Sequence, residues 1–505
     1  MTSTMPAETN SRETFQALNP ATGEVAGVHP VHTDEDVQAA VARARAAAGW
    51  WSALSYDERG EVLGSWKRLL TRRIHELADV VGRDMGKPHM DAVLEIAIAI
   101  DHIAWATRHA KRVLGPRSVR PGVLMFNQAA TVEYHPLGVV GVIGPWNYPV
   151  FTPMGSITYA LAAGNTVVFK PSEFAPTVGT WLADSFAEVC RDHPVLQVVT
   201  GLGETGAALC RSGVDKLAFT GSTATGKKVM AACAETLTPV VIEAGGKDAL
   251  LVDEDADLDA AADAAVWGAM SNAGQTCIGV ERVYVHERVY DEFLARVQDL
   301  VRGLRAEHDP ETDLGPITMP SQVGIIRAHI GDALARGGRA LLGGVEAVGE
   351  RFVQPTVLVD VPEDSTAVTE ETFGPTMTVK KVASMEEAVR LTNATRYALG
   401  STVFSRRRGT DLARRIRSGM TAVNSVISFA AIPALPFGGV GDSGFGRIHG
   451  ADGLREFCYA KAIARQRFKS PLVLTTFRRT QQTERVFGRL VTLLHGRRPM
   501  LPPRR

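Results

Sequence analysis

Residues 137–173 read LGVVGVIGPWNYPVFTPMGSITYALAAGNTVVFKPSE, and this stretch decides the fold. Leu137–Ile143 is a short apolar run closed by Gly144-Pro145, which predicts a strand. Ile157–Ala163 predicts a helix and Thr166–Phe169 the next strand. Tyr134 to Phe169 holds no Asp, Glu, Lys or Arg, which invites a membrane-span reading. Pro136, Pro145, Pro149 and Pro153 argue against it, because each removes a backbone donor and breaks a spanning helix. The stretch reads instead as a buried strand, a sharp loop, a buried helix and a second strand.

The rhythm continues downstream. Helices over Thr177–Cys190, Glu204–Arg211 and Thr225–Ala234 alternate with strands at Val195–Thr200, Leu217–Thr220 and Val240–Ile242. Short apolar strands between helices indicate βαβ units and a parallel sheet. Helices on both faces would hide such strands, which explains their lack of alternation. A second α/β run extends from about Asp257 to Asn424, with strands at Val283–His286, Val353–Leu358, Met377–Lys380, Thr402–Phe404 and Ala422–Asn424. Upstream, residues 34–112 read as helical. The expected architecture is α/β, two Rossmann-like parallel-sheet lobes joined near Glu243–Lys247, without internal repeats.

Composition narrows the class. The chain has 505 residues, 45% apolar and 22% charged, enough for a large core. Lys+Arg and Asp+Glu both number 55, so a protein organised around nucleic acid is excluded. The balance hides an asymmetry: residues 461–505 carry twelve Lys/Arg against one acid, Glu484, and the body is correspondingly acidic. Five cysteines without a CxxC pair disfavour a zinc ribbon and a disulfide scaffold, and no metal site is assigned. Met1 to Arg12 lacks an apolar signal region, so the expected setting is cytoplasmic.

Several residues suggest chemistry. Cys277 follows Asn272-Ala-Gly-Gln-Thr276, a small polar surrounding that a substrate can approach; alone, it also reads as an inert, half-buried cysteine. Glu243 ends an apolar strand and precedes Ala244-Gly245-Gly246. Burial would raise its pKa towards a general base, while a salt-bridged structural role fits equally. Asn147, in Pro145-Trp-Asn-Tyr-Pro149, offers an uncharged donor for an oxyanion, or serves turn geometry. Lys170 and Glu173 end another strand, where an acid can hold a ribose diol and a lysine the same ribose or a phosphate. The alternative there is a solvated charged loop. Gly221-Ser222-Thr-Ala-Thr-Gly226 links a strand to a helix whose free N–H groups suit a pyrophosphate. Gly201-Leu-Gly203-Glu-Thr-Gly206 is closer in letters to a dinucleotide fingerprint, or is only a tight turn.

In joint order these segments resemble the aldehyde dehydrogenase superfamily across roughly residues 15–470. The resemblance rests on the Pro-Trp-Asn loop, Lys170-Pro-Ser-Glu173, Phe219–Gly226, Glu243-Ala-Gly-Gly-Lys247, Gly274-Gln-Thr-Cys277, Glu370-Glu-Thr-Phe-Gly-Pro375 and Pro436-Phe-Gly-Gly439. It implies Cys277 as the nucleophile on the aldehyde carbon and Asn147, with the Cys277 N–H, as the oxyanion hole. Glu243 would activate the water that hydrolyses the thioester left after hydride transfer. Lys170 and Glu173 would meet the adenosine ribose and Ser222 the pyrophosphate. Gly203 and Gly245 join the cofactor contacts, with Glu371 on the nicotinamide ribose and Phe373 beside the nicotinamide. It further implies NAD, with NADP as the alternative, and a homodimer or homotetramer.

The implied division is a dinucleotide-binding domain over 1–116 and 137–242, a catalytic domain over 243–455, an oligomerisation β extension over 117–136 and 456–468, and a basic, partly amphipathic tail over 469–505. Three departures stand out: Ala244 replaces the usual Leu, Ile448 stands where many members have an acid, and the tail is longer. Gly155 occupies the place of an arginine that binds the distal carboxylate in semialdehyde dehydrogenases. An apolar aliphatic or aromatic aldehyde is therefore expected. The alternatives are a succinate-semialdehyde-type enzyme, a coenzyme-A-acylating enzyme, or a noncatalytic nucleotide-binding or membrane-tethered scaffold. Glu173 favours NAD by repelling a 2′-phosphate. The tail has three open readings: a solvated extension, a peripheral membrane contact, or docking on a partner subunit.

Overall fold

The computed structural model describes residues 13–309, 312–470 and 472–496. The last four arginines of the tail, Arg497, Arg498, Arg504 and Arg505, lie outside them. The chain divides into two compact units.

The larger unit, Met1–Leu114 with His135–Tyr459, carries both large sheets. In chain order the first strands of the whole chain are β1 (Thr14–Leu18) and β2 (Val25–Pro30), which form an antiparallel pair. The short β3 (Arg117–Val119) and the longer β4 (Gln128–Pro136) come next. The first large sheet uses β5 (Val139–Ile143), β6 (Thr166–Lys170), β7 (Leu196–Val198), β8 (Lys216–Gly221) and β9 (Val240–Ala244). The second uses β10 (Asp248–Val252), β11 (Val280–His286), β12 (Arg339–Leu342), β13 (Thr356–Val359), β14 (Thr376–Val382), β15 (Ser401–Phe404) and β16 (Ala422–Val423). Last come β17 (Gly444–Phe445) and β18 (Cys458–Gln466).

The first sheet runs β17-β9-β8-β5-β6-β7, and the second β12-β13-β14-β11-β10-β15-β16. All pairs are parallel except the edges: β17 against β9 and β12 against β13. An edge strand that arrives from a loop needs no helical crossover, so it can pair antiparallel. The sheets are thus mixed at their margins, where the sequence suggests purely parallel ones.

One central strand escapes the sequence reading. β10 is wholly buried and pairs with both β11 and β15. Only Gly245–Lys247 separate it from β9, and the sequence reading closes one run at Ile242 and opens the next at about Asp257, so residues 248–252 fall between the two. That three-residue link carries the chain from one sheet into the other.

In the first sheet, β5, β6 and β7 proceed one way and β8, β9 return to the other side of β5. The order therefore reverses between β5 and β8. Ligands of open parallel sheets bind at such a reversal, beyond the carboxyl ends of the strands. Asn147, Lys170, Ser222 and Glu243 follow or end β5, β6, β8 and β9 at that edge.

The smaller unit is Gly115–Tyr134 with Ala460–Arg505. It holds most of the sheet β18-β4-β3, tied by the Asn127 amide, which donates to the Phe468 carbonyl at 3.2 Å. Its helix Gln481–His495 starts at Thr480, whose hydroxyl accepts from the Thr483 N–H at 3.2 Å, and buries none of its residues. Phe477, just before it, is fully exposed.

Candidate active site

The site starts with the loop after β5. Lys87 and Glu95 form an ion pair of 2.6 Å whose side chains are wholly buried. Lys87 also donates to the Asn147 carbonyl at 2.8 Å and stands over the Tyr148 ring at 4.0 Å. Glu95 accepts from the N–H groups of Val150 at 2.7 Å and Phe151 at 3.0 Å, at the start of the helix Phe151–Ala163. A charged pair without water must satisfy its remaining bonds internally. Here that requirement locks the Pro-Trp-Asn loop in place.

The turn before Cys277 is locked in the same way. Asn272, Ala273 and Gly274 all have left-handed backbone, with φ of 52°, 54° and 70°. Such strain persists only where the surroundings overdetermine it. The Gln275 side chain bonds the carbonyls of Asn272 and Pro316 and accepts from the Thr318 N–H at 2.8 Å. A Cβ on Gly274 would stand 2.0 Å from the Gly374 carbonyl oxygen, so only glycine fits. The Asn147 side-chain amide donates to the Gln275 carbonyl at 2.9 Å. An amide has two N–H donors, so this bond orients the group and leaves the other N–H for a ligand.

Cys277 is half-buried and belongs to two cavities. One is an apolar pocket of about 70 Å³ walled by Tyr148, Phe151, Trp267, Ile278, Ile427 and Phe437. The other is a cleft of about 500 Å³ that also holds Asn147, Glu243, Gly245, Glu371 and Phe373. Burial, and then the facing Glu243, push the Cys277 thiol well above its usual range. Burial also raises Glu243 to about 7, against the pull of the nearby Cys277 and Thr220 side chains. Neither Glu243 oxygen meets a donor in good hydrogen-bond geometry. A buried carboxyl left without a partner is a group awaiting one.

A second cleft of about 620 Å³ adjoins the first, sharing Pro145, Trp146, Thr220, Gly221, Ser222 and Met319 with it. Lys170, Glu173 and Gly203 line it. Burial lowers the Lys170 pKa, and its ammonium donates to the Pro171 carbonyl at 3.0 Å. Ser222 caps the helix Thr223–Ala234 by accepting from the Thr225 N–H at 3.2 Å. That helix start supplies free N–H groups for an anion. Gly203 faces open space. Glu371 accepts from the Gly246 N–H at 3.0 Å, and burial lifts its pKa to about 8. A Cβ on Gly245 would meet the Glu371 carboxyl at 2.2 Å. Phe373 is left-handed, with φ of 53°, and stands edge-on to Trp146 with ring centroids 5.5 Å apart.

All ten residues singled out in the sequence line these connected spaces. Three positioning groups are absent from that reading: Lys87, Glu95 and Glu281. Glu281 accepts from the Thr372 and Phe373 N–H groups at 2.8 and 3.0 Å, and Lys247 pairs with it and meets Thr372. Each of the three acts on a segment about 55 to 92 residues away in the chain, so no local motif marks it.

Gly155 has a neighbour that the sequence does not show. A Cβ there would stand 2.4 Å from Nε2 of His449, so no larger side chain fits. His449 is wholly buried beside Phe151 and Phe437, at ring distances of 5.4 Å.

Known proteins resemble this chain over nearly its whole length. Residues 7–463 match the family model described as the aldehyde dehydrogenase family. A 4,4'-diapolycopene aldehyde oxidase from a Methylomonas species is 37% identical over 462 residues, covering 91% of this chain and 87% of that one. A provisionally named NADP(+) succinate-semialdehyde dehydrogenase of Mycolicibacterium smegmatis is 36% identical over 456 residues, covering 88% and 87%. The crystal structure of an NAD-dependent aldehyde dehydrogenase from Sinorhizobium meliloti superposes with a TM-score of 0.87 at 34% identity, covering 92% of this chain and 93% of that one.

Proposed function

The chain belongs to the aldehyde dehydrogenase family, and from that premise we propose that it oxidises an apolar aliphatic or aromatic aldehyde to its acid by covalent catalysis at Cys277. It is an NAD(P)-dependent oxidoreductase acting on the aldehyde group. One observation carries the reading: Cys277 lines both the apolar pocket and the cleft that holds Glu243 and Asn147.

In this reading the Cys277 thiol loses its proton to water in the cleft, its sulfur attacks the carbonyl carbon as the π pair moves to oxygen, and the spare Asn147 N–H with the Cys277 N–H holds the oxyanion. Bound NAD(P) supplies the hydride acceptor. Lys170, Glu173, Gly203, Ser222, Gly245, Glu371 and Phe373 would hold it, and the small residues and exposed helix start in the clefts suit such a ligand. Glu243 takes a proton from the water that cleaves the thioester. The first sheet would serve as the cofactor lobe and the second as the catalytic lobe. Glu243 counts against a coenzyme-A-acylating enzyme, and Cys277 with Glu243 against a noncatalytic scaffold. The test is formation of reduced nicotinamide from an aldehyde without coenzyme A, with C277A as the blank. No turnover across apolar aldehydes, by protein that still binds NAD, overturns the reading.

Some relatives are named for a semialdehyde, which makes that class the main alternative. The pocket offers an anionic substrate no cation: Asp91 lines it, Glu95 there is already paired with Lys87, and among its lining residues none is Lys or Arg. His449 fills the space beside Gly155.

NAD is the proposed preferred cofactor, because the Glu173 carboxylate repels a 2′-phosphate. Replacing Glu173 by alanine is expected to raise kcat/KM for NADP about tenfold, or ~1.4 kcal/mol. Equal use of NADP by wild type and variant would remove Glu173 from this role.

The proposed setting is cytoplasmic, as a homodimer or homotetramer. No helix among the described residues is long and apolar enough to cross a membrane. Peripheral contact through the tail belongs to the same proposal: Val486, Phe487, Leu490, Val491 and Leu494 accompany Arg485 and Arg489 on the helix Gln481–His495. Deleting residues 471–505 should abolish sedimentation with anionic vesicles. Unchanged sedimentation sinks the membrane contact, and a change of mass in light scattering assigns the tail to subunit docking.

A further inference from the structure

The mouth of the aldehyde pocket is built for more substrate than the pocket can hold. The space beside Cys277 is small, about 70 Å³. A short aldehyde fits within it, and a long chain must emerge.

The surface where it would emerge is apolar. Leu94 and Trp267 line the pocket and are still 44% and 42% exposed. Met90 lies one helical turn before Leu94 on the helix His89–Leu114 and is 72% exposed. Residues four apart share a helix face, so the apolar strip continues outward from the pocket. On the other side Ile427 and Ala430 line the pocket, and Ile432 follows them, 45% exposed. Single exposed apolar side chains need no explanation, but a set continuous with a ligand pocket marks a binding surface.

We infer that this rim holds the hydrocarbon chain of the substrate, so that the enzyme selects long-chain apolar aldehydes over short ones. The inference rests on the proposed aldehyde oxidation and deepens it. The occupant is the substrate's own chain because the strip is continuous with the space beside the reacting sulfur. A methylene moved wholly out of water gains roughly fourfold in affinity. On a half-open rim about twofold per methylene is expected.

The experiment measures kcat/KM with NAD for saturated aldehydes from propanal to dodecanal. Wild type should gain about twofold per methylene from pentanal to decanal, chiefly through KM. L94Q and W267Q, at half-exposed positions, should flatten that slope. Their folding is checked by NAD binding. A flat wild-type slope beyond pentanal overturns the inference, as does an unchanged slope in both variants. Turnover of no aldehyde at all, propanal included, instead overturns the underlying reading of the site, so the two failures are distinct.

Discussion

Cys277→Ala should lose aldehyde-dependent reduction of NAD(P) by at least about 10⁴-fold in kcat, while NAD(P) binding persists. Removing a nucleophile from a covalent enzyme eliminates the pathway itself rather than one stabilising contact. The expected size follows from that difference. Asn147 and the apolar pocket would survive and still bind the carbonyl, but with no sulfur to receive. Cofactor binding should persist because Lys170, Glu173 and Gly203 line a cleft that Cys277 does not. Stopped-flow absorbance of reduced nicotinamide, with NAD titrated against tryptophan fluorescence, measures both. Activity within tenfold of wild type would remove Cys277 from the chemistry.

The second large effect is at Glu243. E243Q should retain a first burst of about one reduced nicotinamide per site. Its steady-state rate should then fall by about 10²–10⁴-fold, the range for loss of a general base. Acylation needs the sulfur, the oxyanion hole and a bound hydride acceptor, whereas release of the acid needs an activated water. Absence of the burst would place Glu243 in the first half-reaction instead.

The pH dependence carries the same assignment. Glu243 titrates near 7, and the base is the ionised form. Where deacylation limits turnover, wild-type kcat should rise about tenfold from pH 6 to pH 8 and flatten above. Stability runs the other way. Between the usual carboxyl value of 4.5 and about 7 the unfolded chain ionises while the folded one holds its proton. The cost to folding grows across that window and stays constant above it, at about 3 kcal/mol or less. E243Q should therefore be more stable than wild type at pH 8 by denaturant titration, and equal to it near pH 4.

Much of this was legible in the chain. The strands β5 to β9 emerge from apolar runs bounded by Gly and Pro, because a strand buried on both faces must be apolar throughout. Cys277, Glu243 and Asn147 were each ambiguous alone and became candidates as a set through the order of the motifs that hold them. β10 was missed because it falls between the two runs, three residues after β9. The antiparallel edges β12 and β17 were hidden because pairing direction depends on which strand lies alongside, not on local pattern.

Composition, periodicity and motif order thus sufficed for the α/β class, the family resemblance and the candidates for the reacting side chains, since those properties are local or collinear. Packing alone showed that Lys87 and Glu95 fix the Asn147 loop, that Glu281 fixes Phe373, and that His449 stands beside Gly155. The shift of Glu243 to about 7 is likewise a product of assembly. A pKa responds to the water removed and the charges gathered around a group, and those are contributed by segments far apart in the chain.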